Sequence, residues 1–149
     1  MNKIIAIVGM CGSGKSVACE LLEEKGFQKV YFGGVTMDKL KEENLSVTPE
    51  NEKMMREKLR SSLGMGAYAI ILLPKIKELV KKHNVVLDGL YSWEELKIIK
   101  EVFPDDLTTI AIIVDKKTRY ERLSQRSIRP FPKEKAKDRD ISEIENIAK

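Results

Sequence analysis

With 149 residues, 42% of them hydrophobic and 34% charged, the chain has the size and balance of a single globular domain with a real core, which excludes a disordered or fibrous one. Its longest apolar stretch, Ala67 to Leu73, is far too short to span a bilayer. A net charge of +4 suits anionic small molecules and is too mild to argue for nucleic acid, so neither membrane nor nucleic acid is an expected partner.

Ile4-Ile5-Ala6-Ile7-Val8 places a buried strand over Lys3–Val8. Met1-Asn2-Lys3 leads straight into it and leaves no room for a signal peptide, and Cys11 and Cys19 have no metal-type partners; both observations point to a reducing cytoplasm. Gly9-Met10-Cys11-Gly12-Ser13-Gly14-Lys15-Ser16 follows, a complete G-x-x-x-x-G-K-[ST] phosphate loop. A helix is predicted from about Lys15 to Lys25, stopped by Gly26. Strand, glycine loop and helix N-terminus in this order cradle a phosphate chain, because converging N–H groups and the helix dipole both favour negative charge. The loop and its exit, through Val17, are therefore the expected nucleotide contacts. Lys15 would reach the β- and γ-phosphates, and the Ser16 hydroxyl would hold Mg²⁺, making ATP and Mg²⁺ the expected cofactors.

A second strand is predicted over Gln28–Phe32. Roughly fifty residues without strand signal come next, too many for a simple crossover. They read as helices at about Thr36–Asn44, Pro49–Leu63 and Gly66–His83, an all-helical insertion suited to a second substrate. Thr48-Pro49-Glu50 is a good helix start, whereas Pro74 is expected to kink or interrupt the third helix. Lys53, Arg56 and Arg60 share one helical face; they suit an acceptor phosphate and equally a solvated basic edge.

Val85–Asp88 reads as a third strand ending in Asp88-Gly89. Ligands collect at the carboxyl ends of parallel strands, so Asp88 would face the loop and position Mg²⁺ through water or accept a proton from an attacking hydroxyl. Tyr31, Tyr91 and Trp93 read as packing residues, and His83 as exposed. A fourth strand is predicted over Leu107–Val114, followed by a helix from near Lys116. Five of the seven arginines crowd behind it: Arg119, Arg122, Arg126, Arg129 and Arg139. The first three fall on one helical face, and Arg122 and Arg126 are the expected phosphate contacts, because guanidinium grips phosphate bidentately. Pro130 places Arg129 in a loop.

The alternation of strands and helices gives an α/β fold with a parallel sheet. With the loop sequence, Tyr31-Phe32-Gly33-Gly34, Arg56-Glu57-Lys58-Leu59-Arg60, Asp88-Gly89-Leu90-Tyr91-Ser92-Trp93 and Arg119-Tyr120-Glu121-Arg122-Leu123, the chain resembles the P-loop nucleoside-monophosphate kinases. In particular it resembles a prokaryotic dephospho-coenzyme-A-kinase-like or adenylate-kinase-like group, essentially end to end. The resemblance implies a P-loop nucleoside triphosphate hydrolase fold in one domain over 1–149, with strand order 2-3-1-4 and helices on both faces. It implies an acceptor-binding insertion at about 34–83 carrying Arg56 and Arg60, and a lid at about 127–140 with Arg139 closing from its far side. Lys15, Asp88, Arg122 and Arg126 would be catalytic, and Ser16 and Asp88 would serve the metal. Gly34 and Met37 stand where adenylate kinases carry an acidic residue and an arginine, and the basic Asp of dephospho-coenzyme-A kinases has no counterpart. The resemblance also leads us to expect roughly thirty further residues with a final strand, as a kinase domain of ordinary size has. Without that strand, the fourth would be an open edge inviting a homodimer. The implied activity is ATP- and Mg²⁺-dependent phosphoryl transfer to a small, nucleotide-like acceptor. The alternative is an ATP-binding regulatory module with little turnover. A GTP-hydrolysing switch ranks below both, since no Asn-Lys-x-Asp sequence occurs.

Overall fold

In the computed structural model, which describes residues 2–127 and 132–147, four short strands form one parallel sheet. They are β1 (Ile4–Val8), β2 (Gln28–Tyr31), β3 (Val85–Asp88) and β4 (Leu107–Ala111), in the order β2-β3-β1-β4. The register aligns their carboxyl ends: Ile7 and Tyr31 both lie opposite Asp88, and Val8 lies opposite Ala111. One sheet edge thus collects the ends of all four strands, which is where α/β folds place their ligands.

Side chains alternate across the sheet with period two, and both faces are covered. Ile4, Ala6, Val85 and Leu87 enter the larger core with α4 (Ala67–Val80) and α5 (Trp93–Val102). Ile7 and Val86 point to the other face and pack with Cys19 of α1 (Lys15–Glu24). α1 ends where expected: Lys25 caps it and Gly26 follows at φ +88°. Between β2 and β3, α2 (Gly34–Glu42) and α3 (Pro49–Leu63) precede α4. The start of α3 is built as its residues dictate, with the Thr48 Oγ1 accepting from the Asn51 N–H at 3.2 Å and Pro49 in the first turn. α4 is a layer helix: Ala67, Ala69, Leu72 and Ile76 are buried in the larger core.

Two expectations are corrected. Pro74 does not interrupt α4, because its ring sits on the exposed side, where water can serve the carbonyl it frees. β4 stops at Ala111, three residues before the expected Val114: Ile112 still donates its N–H to the Val8 carbonyl at 2.9 Å, but Ile113 is 92% exposed. The apolar run therefore turns out of the sheet and towards the loop after β1. Beyond it lie α6 (Lys116–Ser124), capped by the Asp115 carboxylate accepting from the Thr118 N–H, and α7 (Lys133–Ile147). Residues 128–131, near the start of the expected lid and including Arg129, lie outside the described residues.

Candidate functional site

A cleft of about 1910 Å³ opens at the carboxyl edge of the sheet, more than one small ligand needs. Its floor is the Gly9–Ser16 loop together with Val17. The loop takes its shape from close packing. A Cβ at Gly9 would fall 2.6 Å from the Ile112 carbonyl oxygen. At Gly12, where φ is +82°, it would fall 2.9 Å from the Arg119 carbonyl oxygen. The Lys15 ammonium lies across the loop and donates to the carbonyls of Gly9 at 2.7 Å and Met10 at 3.0 Å. Burial lowers its pKa, while Glu143 and Asp88 among its neighbours oppose the shift.

Three observations test the loop against a phosphate chain, and all fit. The Ser13 side chain is 3% exposed, and its Oγ has no hydrogen-bond partner. The first turn of α1 has no capping side chain and no acidic residue, so its N–H groups are left for an anion. Gly12 and Gly14 hold φ at +82° and +93°, the backbone curl that turns successive N–H groups towards one anion. Ser16 and Asp88 both line the cleft and supply a hydroxyl and a carboxylate. Among the described residues no three His, Cys, Asp or Glu side chains gather into a metal cage. That suits Mg²⁺, which keeps several waters and binds through few protein ligands plus substrate phosphates.

Asp88 stands on the β3 side of the loop, where the sequence placed it. Burial pushes its carboxyl up, and Lys29 and Lys15 pull it down. The nearby Cys19 thiol is itself pushed up to about 12, by burial first and by the Asp88 charge second. The chain leaving β3 is tied down by a reciprocal cap. The Glu95 carboxylate, fully buried, accepts from the N–H groups of Tyr91 at 2.8 Å and Ser92 at 3.1 Å. The Ser92 Oγ accepts from the Glu95 N–H at 3.1 Å and donates to the Met65 carbonyl at 2.6 Å. Burial pushes the Glu95 carboxyl up, opposed by those two backbone donors.

This tie fixes Tyr91, which the Arg60 guanidinium approaches at 4.6 Å and that of Arg139 at 5.9 Å from the ring centre. Arg56 and Arg60 are half-buried and are not among the residues lining the cleft; Arg60 lies over the Tyr91 ring. Burial lowers the Arg56 pKa, and the nearby charges of Arg139 and Arg60 lower it further. The Arg60 Nε is buried without a hydrogen-bond partner. Three guanidinium groups gathered in this way are suited to an anion. Lys53, by contrast, is exposed and lies 3.9 Å from Glu57.

On the β4 side the arginine stripe divides. Arg119 is buried and grips Asp140 bidentately, Nη1 to Oδ1 at 2.7 Å and Nη2 to Oδ2 at 2.8 Å, while Nη1 also donates to the Cys11 carbonyl at 3.1 Å. It bolts α6, α7 and the loop together. Arg122 and Arg126 are exposed and line the cleft, with the Arg122 Nη1 3.5 Å from the Ser13 carbonyl oxygen. The helical face proposed for all three holds for the first two only: α6 ends at Ser124, and Arg126 lies beyond it. Arg139 lines the cleft from α7 and donates through Nε to Glu143 at 2.9 Å.

Sequence reasoning missed Glu143, whose Oε2 accepts from the Cys11 N–H at 3.1 Å and so sets a carboxylate on the phosphate loop. Its spacing from Asp140 put both on one face of α7, but nothing local showed that a loop 132 residues away completes the pair. Tyr31 and Trp93 were read as packing residues; instead they are 50% and 53% exposed and line the cleft.

Residues 5–146 match the AAA domain family AAA_18. A UPF0200 protein of Pyrococcus abyssi is 35% identical over 145 residues, covering 95% of this chain and 78% of its own length. Among solved structures, TT1252 of Thermus thermophilus superposes with a TM-score of 0.62 at 20% identity, over 97% of this chain and 83% of that one. A gluconokinase of Sinorhizobium meliloti does so with a TM-score of 0.57 at 16% identity, over 97% and 74%. At these identities the two structures bear on the fold alone, a parallel sheet flanked by helices with a phosphate loop after its first strand.

Proposed function

We propose that this chain, which belongs to the AAA_18 domain family and is a relative of the UPF0200 proteins, transfers the γ-phosphoryl group of ATP to a small, nucleotide-like acceptor with Mg²⁺. The observation that carries the reading is one cleft with a phosphate loop at its floor, a carboxylate on one side and free guanidinium groups on the other. Uncapped N–H groups of α1 and the Ser13 hydroxyl orient the phosphate chain. The Lys15 ammonium, already aimed over the loop, and the Arg122 and Arg126 guanidiniums neutralise charge as it develops on the transferred group. Bound Mg²⁺ supplies Lewis-acid polarisation of the phosphate oxygens. Ser16 and Asp88 would hold it, Asp88 through water. Asp88 also orients the acceptor; its raised pKa makes it a better proton acceptor where the attacking group is a hydroxyl. The acceptor oxygen forms the new P–O bond as the bond to the β-phosphate bridging oxygen breaks, and ADP leaves. Arg56, Arg60 and Arg139 supply the positive charge for the acceptor's own anionic group, and inward movement of α3 would bring the first two to the cleft and exclude water.

A regulatory ATP-binding module with little turnover is the second reading, and one observation favours it: the Glu143 carboxylate occupies the Cys11 N–H, where it repels an incoming phosphate. Labelled phosphate transfer from ATP to nucleoside monophosphates, dephospho-coenzyme A and gluconate decides between them. Transfer to a nucleotide-like acceptor, abolished by Lys15→Ala, supports the kinase. ATP binding without transfer to any of these favours the module.

A further inference from the structure

The cleft has two chemically different ends. On the β4 side, Ile112, Ile113, Val114, Arg122 and Arg126 supply apolar groups and guanidiniums, and no described cleft residue there is aromatic. On the β3 and β2 side stand Tyr31, Leu96 and Trp93. A large aromatic side chain is a poor choice for open solvent, and here two of them keep about half their surface uncovered inside a concavity.

We infer that Trp93 and Tyr31 form a ring-binding surface for the phosphoryl acceptor, selecting acceptors in which a planar heterocycle accompanies the phosphate over phosphosugars. The inference rests on the transfer reading and adds to it the group that reads the acceptor. Both side chains are carried by fixed elements. Trp93 opens α5 directly behind the Ser92–Glu95 capping box, and Tyr31 ends β2 opposite Asp88. The Tyr31 ring lies over Gly33, where a Cβ would collide with it, and comes within ordinary contact of Gly34 and Gly89. The close approach at Gly33 fixes where the ring lies, and the ring lines the cleft. A donor nucleotide whose phosphates lie on the loop and whose charge is met by Arg122 and Arg126 takes the β4 end. The aromatic end, beside Asp88, is left to the second substrate. Stacking on such rings tolerates any base, because each presents a π-face, so the surface demands a heterocycle without dictating which.

Trp93 is the sole tryptophan of the chain, so its emission reports on this surface directly. The test is a fluorescence titration of the 149-residue protein with adenosine monophosphate, cytidine monophosphate, dephospho-coenzyme A and ribose 5-phosphate. ATP affinity is measured separately by equilibrium dialysis. At least one ring-bearing phosphate is expected to change the emission saturably, while ribose 5-phosphate leaves it unchanged. Tyr31→Ala is expected to weaken that ring-dependent titration about tenfold. Equal responses to ribose 5-phosphate and the ring-bearing compounds, or no response to any of them while ATP still binds, overturns the ring surface and leaves the transfer reading standing. Absence of ATP binding overturns both.

Discussion

The two walls of the cleft are built from residues that look alike in sequence and do different work. On the β4 wall, Arg119 and Arg122 sit three residues apart on one helix, yet the first is buried against Asp140 and the second is exposed over the loop. On the β3 side, Tyr68, in the core on α4, and Trp93, in the cleft wall, are both large aromatics near helix starts. Tyr68 is buried, with its hydroxyl 2.7 Å from the Thr36 Oγ1, whereas Trp93 is half-exposed in the cleft. Residue type and spacing say which chemistry is available. What packs on the side chain decides whether that chemistry holds the fold or is offered to a ligand.

Lys15→Ala breaks both walls' common purpose and carries the largest expected effect. Removing a charge donor aimed at the transferred phosphate should lower transfer by about 10²–10³-fold. The circular dichroism spectrum and thermal midpoint should stay near those of the wild type, because the Lys15 side chain contacts only loop carbonyls.

Asp140→Ala breaks the β4 wall from behind. It leaves the Arg119 charge buried and unpaired, a loss of about 3–5 kcal/mol that denaturant unfolding should register. Hydrogen bonding by Arg119 holds the Asp140 carboxyl below the usual range. A depressed carboxyl contributes stability that is complete above the pKa of the unfolded chain and is lost as pH falls through the folded one. The stability difference between wild type and Asp140→Asn should therefore be largest near neutrality, begin to shrink near pH 4 and close only as the folded carboxyl takes up its proton at lower pH.

Arg126→Lys sharpens the comparison within the arginines. The side chain is exposed, so stability should not move, but a lysine cannot reproduce the planar fork. Loss of most transfer activity at unchanged thermal midpoint would place Arg126 on the ligand. Full activity at low and physiological salt alike would return it to the solvated surface.

The smallest effect is expected at Glu143→Gln. The amide can still accept from the Cys11 N–H but no longer repels an anion, so ATP affinity measured by calorimetry should rise about two- to fivefold. A fall in affinity would give Glu143 the opposite role, as a support that shapes the loop.

The phosphate loop and the bounds of α3 and β3 were legible because each is written locally, in glycine spacing, caps and apolar runs, whereas the strand order came only through the resemblance to P-loop kinases. Asp88 was legible because a strand end next to such a loop has few alternatives. The failures are non-local. Ile112-Ile113-Val114 reads as strand because an apolar run carries no mark of where its hydrogen-bonding partner β1 gives way to the loop. Arg119 was grouped with Arg122 and Arg126 by spacing alone, and its structural role stayed hidden because its partner Asp140 lies on a different helix, 21 residues on. Tyr31 and Trp93 read as core because burial, the usual fate of such rings, depends on which elements cover them. Arg56 and Arg60 had two open readings, and their half-buried position, with Arg60 over the Tyr91 ring, came from the docking of α3, which no local pattern encodes.

The contacts from α7 to the loop also fix an order of assembly. Cys11 meets Glu143 across 132 residues and the Arg119 guanidinium across 108, whereas the loop's own bond from Ser13 to Met10 spans three. Closing so long a stretch of chain is slow, because its entropy is lost before the contact repays it. During synthesis the glycine segment emerges before α6 and α7 and waits for both. The part of the sequence most readily recognised is therefore among the last to reach its working shape.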